Sequence, residues 1–264
     1  MTIKVVSLNL WLGGILFDEV CAFIAKESPD ILMLQEVYDG KDPGLERRFR
    51  TLEEFIKRFN YPAYDFVPTC IEHRKEGKIV QGSAVFSRCP ITAQDAVFFN
   101  EPFSDHYVDV PGQYAHQPHA LQHLVLATPA GDLNVYNLHG SWDLDGDNFS
   151  EARRQMSEAV ITAVQGKTKV ILAGDTNARP TNQAMINIEK QLTSVFGREL
   201  PSTFNMRRKD NPGYASAAVD MMFITPDITV TSKACPDVDI SDHLPLVVTV
   251  KIQKDQRLEE NTVK

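Results

Sequence analysis

The run Ile171-Leu172-Ala173-Gly174-Asp175-Thr176-Asn177 joins three apolar side chains to a glycine and then to acid, hydroxyl and amide groups. A short apolar run without polar alternation reads as a strand buried on both faces, and the polar residues that close it sit where a strand end opens into a cleft. The same grammar recurs upstream. Ile3 to Leu8 reads as a strand, Asp18 to Lys26 as a helix and Ile31 to Leu34 as a second strand buried on both faces, a β-α-β opening.

Outward from these anchors the chain alternates strand-length and helix-length patterns. Leu45, Phe49, Leu52, Phe55, Ile56 and Phe59 recur at helical spacing, which predicts a helix over 45–59 whose Arg47, Arg48, Arg50, Lys57 and Arg58 form a solvated face. Strand runs follow at Tyr64–Thr69, Val80–Phe86, Ile91–Phe99, Ala120–Ala127 and Leu133–Leu138, with Pro129 to Asp132 as the turn between the last two. A helix is expected from Ser150 to Gln165, capped by Asn148 or Ser150, and another from Asn182 to Gln191. Strands at Ala218–Ile224, Ile228–Thr231 and Leu246–Ile252 complete the set. An antiparallel centre flanked by β-α units predicts a mixed α/β domain of two packed sheets under helices. One domain spans 1–253, and the charged, aperiodic residues 254–264 read as a frayed tail.

Composition limits the functional classes. A chain of 264 residues with 43% hydrophobic content can bury one large core. A formal charge of -8 argues against binding nucleic acid through a broad basic face, although bound divalent cations would invert the field of an acidic cleft. No apolar run approaches the ~20 residues of a membrane span, and no signal-peptide pattern opens the chain, so a cytoplasmic protein is expected. Cys21, Cys70, Cys89 and Cys235 are far apart and are expected to be reduced thiols.

Candidate catalytic groups fall at strand ends. Asn9 follows Val5-Val6-Ser7-Leu8, Glu36 follows Ile31 to Gln35, His139 follows Val135 to Leu138, and Asp175 and Asn177 close the run quoted first. Asp220 follows Ala217-Ala218-Val219, and Asp242-His243 lies in Ile240-Ser241-Asp242-His243-Leu244-Pro245. Each taken singly has a bland reading as a turn former or a hydrogen-bonded core polar group. Together they predict convergence in one cleft suited to metal-assisted attack on phosphorus.

These motifs carry a resemblance. Ser7-Leu8-Asn9-Leu10-Trp11, Leu34-Gln35-Glu36-Val37, Gly82 to Arg88, Asn137-Leu138-His139, Gly174-Asp175-Thr176-Asn177, Val219 to Phe223 and Ser241-Asp242-His243 are similar, in order and spacing, to those of the endonuclease/exonuclease/phosphatase superfamily. The resemblance runs from Lys4 to Ile252 and implies a four-layer α/β sandwich, DNase I-like, in which two mixed sheets face each other under helices. It implies Mg²⁺ or Mn²⁺ as cofactor, with Glu36, Asp242 and Asn9 as the metal set. Asp175 would activate the attacking water with help from Asn177, and His243, oriented by Asp220, would stabilise charge on a phosphate oxygen. Asn9, Asn177, His139 and His243 would contact phosphate, and His139 would also assist the leaving oxygen.

The implied activity is metal-dependent hydrolysis of a phosphodiester, of nuclease-like or small-molecule type, by in-line attack of water. The alternatives are a phosphomonoesterase of inositol-phosphate type and a silent member that binds phosphate ligands without turnover. The partner is a phosphoester substrate, nucleic acid included; no protein partner is expected. A calcineurin-like phosphatase would also need an Asp-x-His and a Gly-Asn-His segment, and the sequence has neither. Two segments are expected to set specificity. Residues 100–119 carry Phe103, His106, Tyr107, Tyr114, His116 and His119 as an aromatic and imidazole wall, and residues 202–214 carry Arg207, Arg208 and Lys209.

Overall fold

A computed structural model describes residues 1–108, 116–143, 147–209 and 217–253. The tail and Tyr114 lie outside these described residues.

The opening is β1 (Thr2–Asn9), α1 (Phe17–Glu27) and β2 (Ile31–Tyr38), followed by α2 (Thr51–Phe59). A hairpin of β3 (Ala63–Arg74) and β4 (Gly77–Ser87) leads to β5 (Ile91–Phe99) and β6 (Ser104–Tyr107). Next come β7 (His119–Thr128), β8 (Gly131–His139), α3 (Glu151–Val164), β9 (Val170–Asp175) and α4 (Gln183–Ile188). The chain closes with β10 (Thr193–Ser194), β11 (Asp220–Ile224), β12 (Ile228–Ala234) and β13 (Leu246–Ile252).

Two mixed sheets result. One has the order β12-β13-β1-β2-β4-β3-β6 and the other β10-β11-β9-β8-β7-β5. The apolar runs explain the layering. In β1, Ile3 and Val5 point between the sheets while Val6 and Leu8 point to the helix face; in β2, Ile31 and Met33 point inward and Leu32 and Leu34 outward. In β9, Ile171 and Ala173 meet the first sheet, and Val170 and Leu172 meet α3 and α4 through Val160, Met156 and Met185. On the outer face of the first sheet, α1 and α2 lay Val20, Ile24, Leu52 and Phe55 over Leu32 and Phe86. This is the four-layer, DNase I-like α/β sandwich that the resemblance implied, and it contains the two packed sheets under helices that the strand pattern predicted. Ser150 caps α3 and Asn182 caps α4, as their positions in the sequence predict.

A buried polar tie fixes the sheets against each other beneath one end. Gln35 Nε2 donates to Asn137 Oδ1 (2.6 Å), and Asn137 Nδ2 lies within reach of Leu34 O (3.0 Å) and Gln122 Oε1 (3.1 Å). All three side chains are fully buried, so the two sheets are held in a single relative register at this end.

Local departures from the sequence reading have physical causes. The helix expected over 45–59 is instead a single 3₁₀ turn at Arg47–Arg50 leading into α2. The carbonyl of Phe49 accepts from Gly40 N (2.7 Å), and Thr51 Oγ1 sits against the carbonyls of Gly13 and Arg48, which draws these groups out of an α ladder. Strand β2 continues past Leu34 to Tyr38 through a bulge between Leu34 and Val37. Asp220 opens its strand; the sequence suggested that it followed one. Helix α4 stops at Ile188, and residues 104–107 form a strand paired in parallel with β3. Among the described residues no helix is long and apolar enough to cross a membrane, and the four cysteines are free thiols.

Candidate active site

The sheet registers bring the sequence candidates together. In the second sheet, His139 at the end of β8 lies beside Asp175 at the end of β9, and Asp175 lies opposite Asp220 at the start of β11. In the first sheet, Asn9 ends β1 alongside Gln35, next to Glu36. Because β11 runs antiparallel to β9, a residue that opens a strand joins residues that close theirs.

Gly174 is what lets Asp175 reach this row. Its φ of +147° belongs to glycine, and a Cβ there would stand 1.8 Å from the carbonyl oxygen of Leu138 on the adjacent strand. Glu36 reaches the cleft by a different device. The β2 bulge leaves it at φ +57°, a conformation that turns its carboxylate toward the loop after β1. There Glu36 Oε2 accepts from Leu12 N (2.6 Å).

Asn9 is buried between two carboxylates. Its Nδ2 donates to Glu36 Oε1 (3.0 Å) and Asp175 Oδ2 (3.1 Å), while its Oδ1 accepts from Trp11 N (3.0 Å). A neutral amide thus screens two acids that would otherwise repel each other. Asp175 Oδ1 accepts from Asn177 N (2.9 Å), and Asn177, at φ +50°, is anchored by Nδ2 to Gly140 O (3.0 Å). Arg153, wholly buried, donates to the carbonyls of Asn177 and Asn148 and so braces this turn from behind.

His243 faces Asp175 from the other side. Its Nδ1 is 2.8 Å from Asp220 Oδ2 and its Nε2 is 3.7 Å from Asp175 Oδ2. Burial alone would depress the imidazole pKa. The charges of Asp220 and Asp175, with the Asp220 hydrogen bond, outweigh it and lift the value to about 10. Burial pushes Asp220 above the ordinary carboxylate range against the pull of His243. Opposite, His139 Nε2 is 3.9 Å from the same Asp175 oxygen, and His119 packs edge-on against the His139 ring at 4.4 Å. Burial drives His119 well below the usual imidazole value, so that ring is neutral.

Asp242 holds Lys209 Nζ at 2.6 Å, and Ser241 Oγ donates to Asn9 O (2.7 Å), tying this loop to the end of β1. Burial opposes the charge of Lys209, but Asp242, Glu36 and Asp175 raise its pKa. Only Lys209 of the expected basic trio enters the cleft. Arg207 and Arg208 are exposed and ion-paired to Asp237 and Asp239. Of the predicted 100–119 wall, Tyr107 and His119 line the cleft; Phe103 is exposed, His106 packs on His73 and His116 pairs with Glu101. No local pattern in the sequence marks Asn9 as a spacer, the Lys209–Asp242 pair, or Glu72 and Gln81 on the far wall.

A cleft of about 390 Å³ is floored by Glu36, His139, Asp175, Asn177, Lys209 and His243, with Asn9, Asp220 and Asp242 behind its lining. Asp175, Asp220 and His243 are the described acid and imidazole groups whose ligand atoms all lie within 4.8 Å of one another. Inside this trio the Asp220 oxygen is already occupied, because His243 Nδ1 is bonded to it. The donor set better suited to Mg²⁺ or Mn²⁺ is the oxygen-only one, Glu36 with Asp242. Each Glu36 oxygen accepts one N–H and keeps a second lone pair, and Asp242 engages the Lys209 ammonium through Oδ2 alone.

A model of the endonuclease/exonuclease/phosphatase family matches residues 6–243. Among solved structures, an endonuclease/exonuclease/phosphatase from Beutenbergia cavernae DSM 12333 aligns with a TM-score of 0.71 at 20% identity, covering 96% of this chain and 72% of that one. The human Nocturnin catalytic domain with bound sulfate anion gives 0.68 at 18% identity, with 95% and 94% covered. A mannosyl-6-phosphatase of Bacteroides thetaiotaomicron VPI-5482 gives 0.66 at 19% identity, with 95% and 100% covered. Likeness at this identity establishes a shared fold. Among curated proteins none matches this chain.

Proposed function

We propose, from the premise that this chain belongs to the endonuclease/exonuclease/phosphatase family, that its cleft hydrolyses a phosphodiester with the help of Mg²⁺ or Mn²⁺. The observation that carries the reading is the convergence on Asp175 of an imidazolium fixed by Asp220, a second histidine and a screened Glu36.

Glu36, with Asp242, would hold the divalent cation, which when bound neutralises phosphate charge. The protein residues do the rest. Asp175, held by Asn9 and by the backbone of Asn177, is the base that orients and deprotonates water. Asn177 Oδ1 has no donor among the described residues and is placed to accept from that water. His243 carries its positive charge at neutral pH and donates from Nε2 to a non-bridging phosphate oxygen, because Nδ1 is committed to Asp220. His139 donates to phosphate or to the leaving oxygen, and its neutral neighbour His119 adds no charge. Asn9 acts as the spacer between the Glu36 and Asp175 carboxylates, donating to both from Nδ2.

Charge favours a diester. Glu36, Asp175, Asp220 and Asp242 face His243 and Lys209, four carboxylates against two cations, and one divalent ion brings that balance near zero. A diester monoanion then enters at lower electrostatic cost than a monoester dianion. The neighbouring Arg207 and Arg208 are already paired and the chain is acidic, so a small ester suits the cleft better than a duplex. A panel of DNA, RNA, inositol phosphates, sphingomyelin and an aryl phosphodiester, with Mg²⁺, Mn²⁺ or chelator, tests the reading. Metal-dependent release from at least one diester is expected; binding without turnover on every member would instead make this a silent member of the family.

A further inference from the structure

The wall of the cleft opposite the catalytic floor carries polar groups that the proposed chemistry does not use. Glu72 on β3 is 2% exposed. Its Oε2 accepts from the Tyr38 hydroxyl (2.7 Å) and from Arg74 Nη1 (2.6 Å), while its Oε1 has no donor among the described residues. Gln81 on β4 is 3% exposed. Its Oε1 accepts from Gln117 Nε2 (2.7 Å), and its Nε2 has no acceptor among the described residues. Both side chains line the cleft.

The β3–β4 register sets them side by side. Cys70 stands opposite Gln81, and Glu72, two residues on, shares the same face and is the diagonal neighbour of Gln81. One unused acceptor and one unused donor therefore occupy diagonal positions on one face of a rigid hairpin. Leaving such groups unmet in a ligand-filled, water-free cleft is costly, so the ligand that fits brings a matching donor and acceptor. A hydroxyl is both. Arg74 already neutralises Glu72, which removes the reason to recruit a cationic ligand. Trp11, half-buried on the same cleft, offers a flat apolar face for the carbon skeleton of a ring.

We infer that Glu72 and Gln81 form a subsite for adjacent hydroxyls, so that the substrate is a small phosphate ester whose organic group carries a vicinal diol. The inference rests on the hydrolase reading above for the location of the phosphate. Sugar or polyol esters and ribonucleotides share this chemistry, and a cleft of about 390 Å³ admits either.

Binding calorimetry tests the subsite separately from turnover. The Asp175→Asn protein, which consumes no ligand, is titrated with the p-nitrophenyl phosphodiesters of a hexose and of n-hexanol. It is then titrated with the corresponding 5′ esters of uridine and of 2′,3′-dideoxyuridine. The diol-bearing member of at least one pair is expected to bind about 10-fold or more tighter, and the pair that shows it tells sugar from ribonucleotide. Glu72→Gln and Gln81→Leu, introduced singly in that background and checked for an unchanged thermal midpoint, are expected to bring the preference toward unity. Equal binding within both pairs overturns the inference without need of any variant, as does a preference that survives both substitutions. Turnover of bis(p-nitrophenyl) phosphate by the unmutated protein is read in parallel. Turnover without diol preference refutes the subsite alone, and diol preference without turnover of this ester or of any member of the panel above upholds the subsite and refutes the hydrolase reading.

Discussion

Replacing Asn9 by aspartate changes one amide nitrogen to an oxygen at the point where two carboxylates meet. In the native arrangement Nδ2 donates at 3.0 Å to Glu36 and at 3.1 Å to Asp175. Two hydrogen bonds to charged acceptors are lost, at about 1.5–3 kcal/mol each. In their place stand two like-charge contacts, each costing about 5 kcal/mol at this separation and an effective permittivity near 20. That total rivals the whole stability of an ordinary domain, so the new carboxyl takes up a proton rather than bear it in full. The sign follows from linkage. An acid whose folded pKa is raised destabilises the fold above that pKa, and the penalty fades as pH falls through it. Urea unfolding of the metal-free protein is therefore expected to show Asn9→Asp weakened by about 4 kcal/mol or more at pH 8, with the deficit shrinking by pH 5. Asn9→Leu loses the hydrogen bonds without adding charge, so its deficit should be smaller at pH 8 and flatter with pH. Mg²⁺ or Mn²⁺ should restore Asn9→Asp more than Asn9→Leu, because a cation between three carboxylates relieves their repulsion. An Asn9→Asp protein within about 0.5 kcal/mol of the parent at pH 8 would refute the screening argument.

Other consequences are equally direct. Asp175→Asn and His243→Ala are each expected to lower kcat on an aryl phosphodiester by about 100-fold or more, as loss of a positioned base or charge donor does; near-parent rates in both would remove these residues from the reaction. Gly174→Ala places a methyl 1.8 Å from Leu138 O and should cost about 3 kcal/mol or more in chemical denaturation; an unaltered midpoint would mean that β8 and β9 can part freely. Burial lifts the Cys21 thiol to about 11 and the Cys235 thiol to about 12. The unfolded chain releases these protons first, so stability should decline as pH rises from about 9 toward 11, and a Cys21→Ala, Cys235→Ala protein should show a shallower decline in pH-dependent unfolding.

The layered fold could be read from the sequence because its strands are buried on both faces. Runs such as Ile31 to Leu34 and Ile171 to Ala173 leave no helical or amphipathic alternative of comparable length. The site could be read for a related reason. Asn9, His139 and Asp175 are polar residues that end apolar strands, and parallel neighbours carry their ends to the same side. What stayed hidden depends on partners distant in sequence. The break in the 45–59 helix needs Gly40 and Gly13, neither of which alters the local apolar period. Glu36 enters the cleft through a bulge that a sequence pattern does not mark. Lys209 looked like one of three equivalent cations, and only the positions of Asp237, Asp239 and Asp242 separate it from the other two. Glu72 and Gln81 read as ordinary residues of a hairpin until the second sheet encloses them.

Attack of water on phosphorus, activated at Asp175, is tested by hydrolysis of an aryl phosphodiester in ¹⁸O-labelled water with Mn²⁺. One ¹⁸O is expected in the phosphoryl product, none in the released phenol, and no product with chelator or with Asp175→Asn. Label in the phenol, or the same yield from Asp175→Asn, would contradict it.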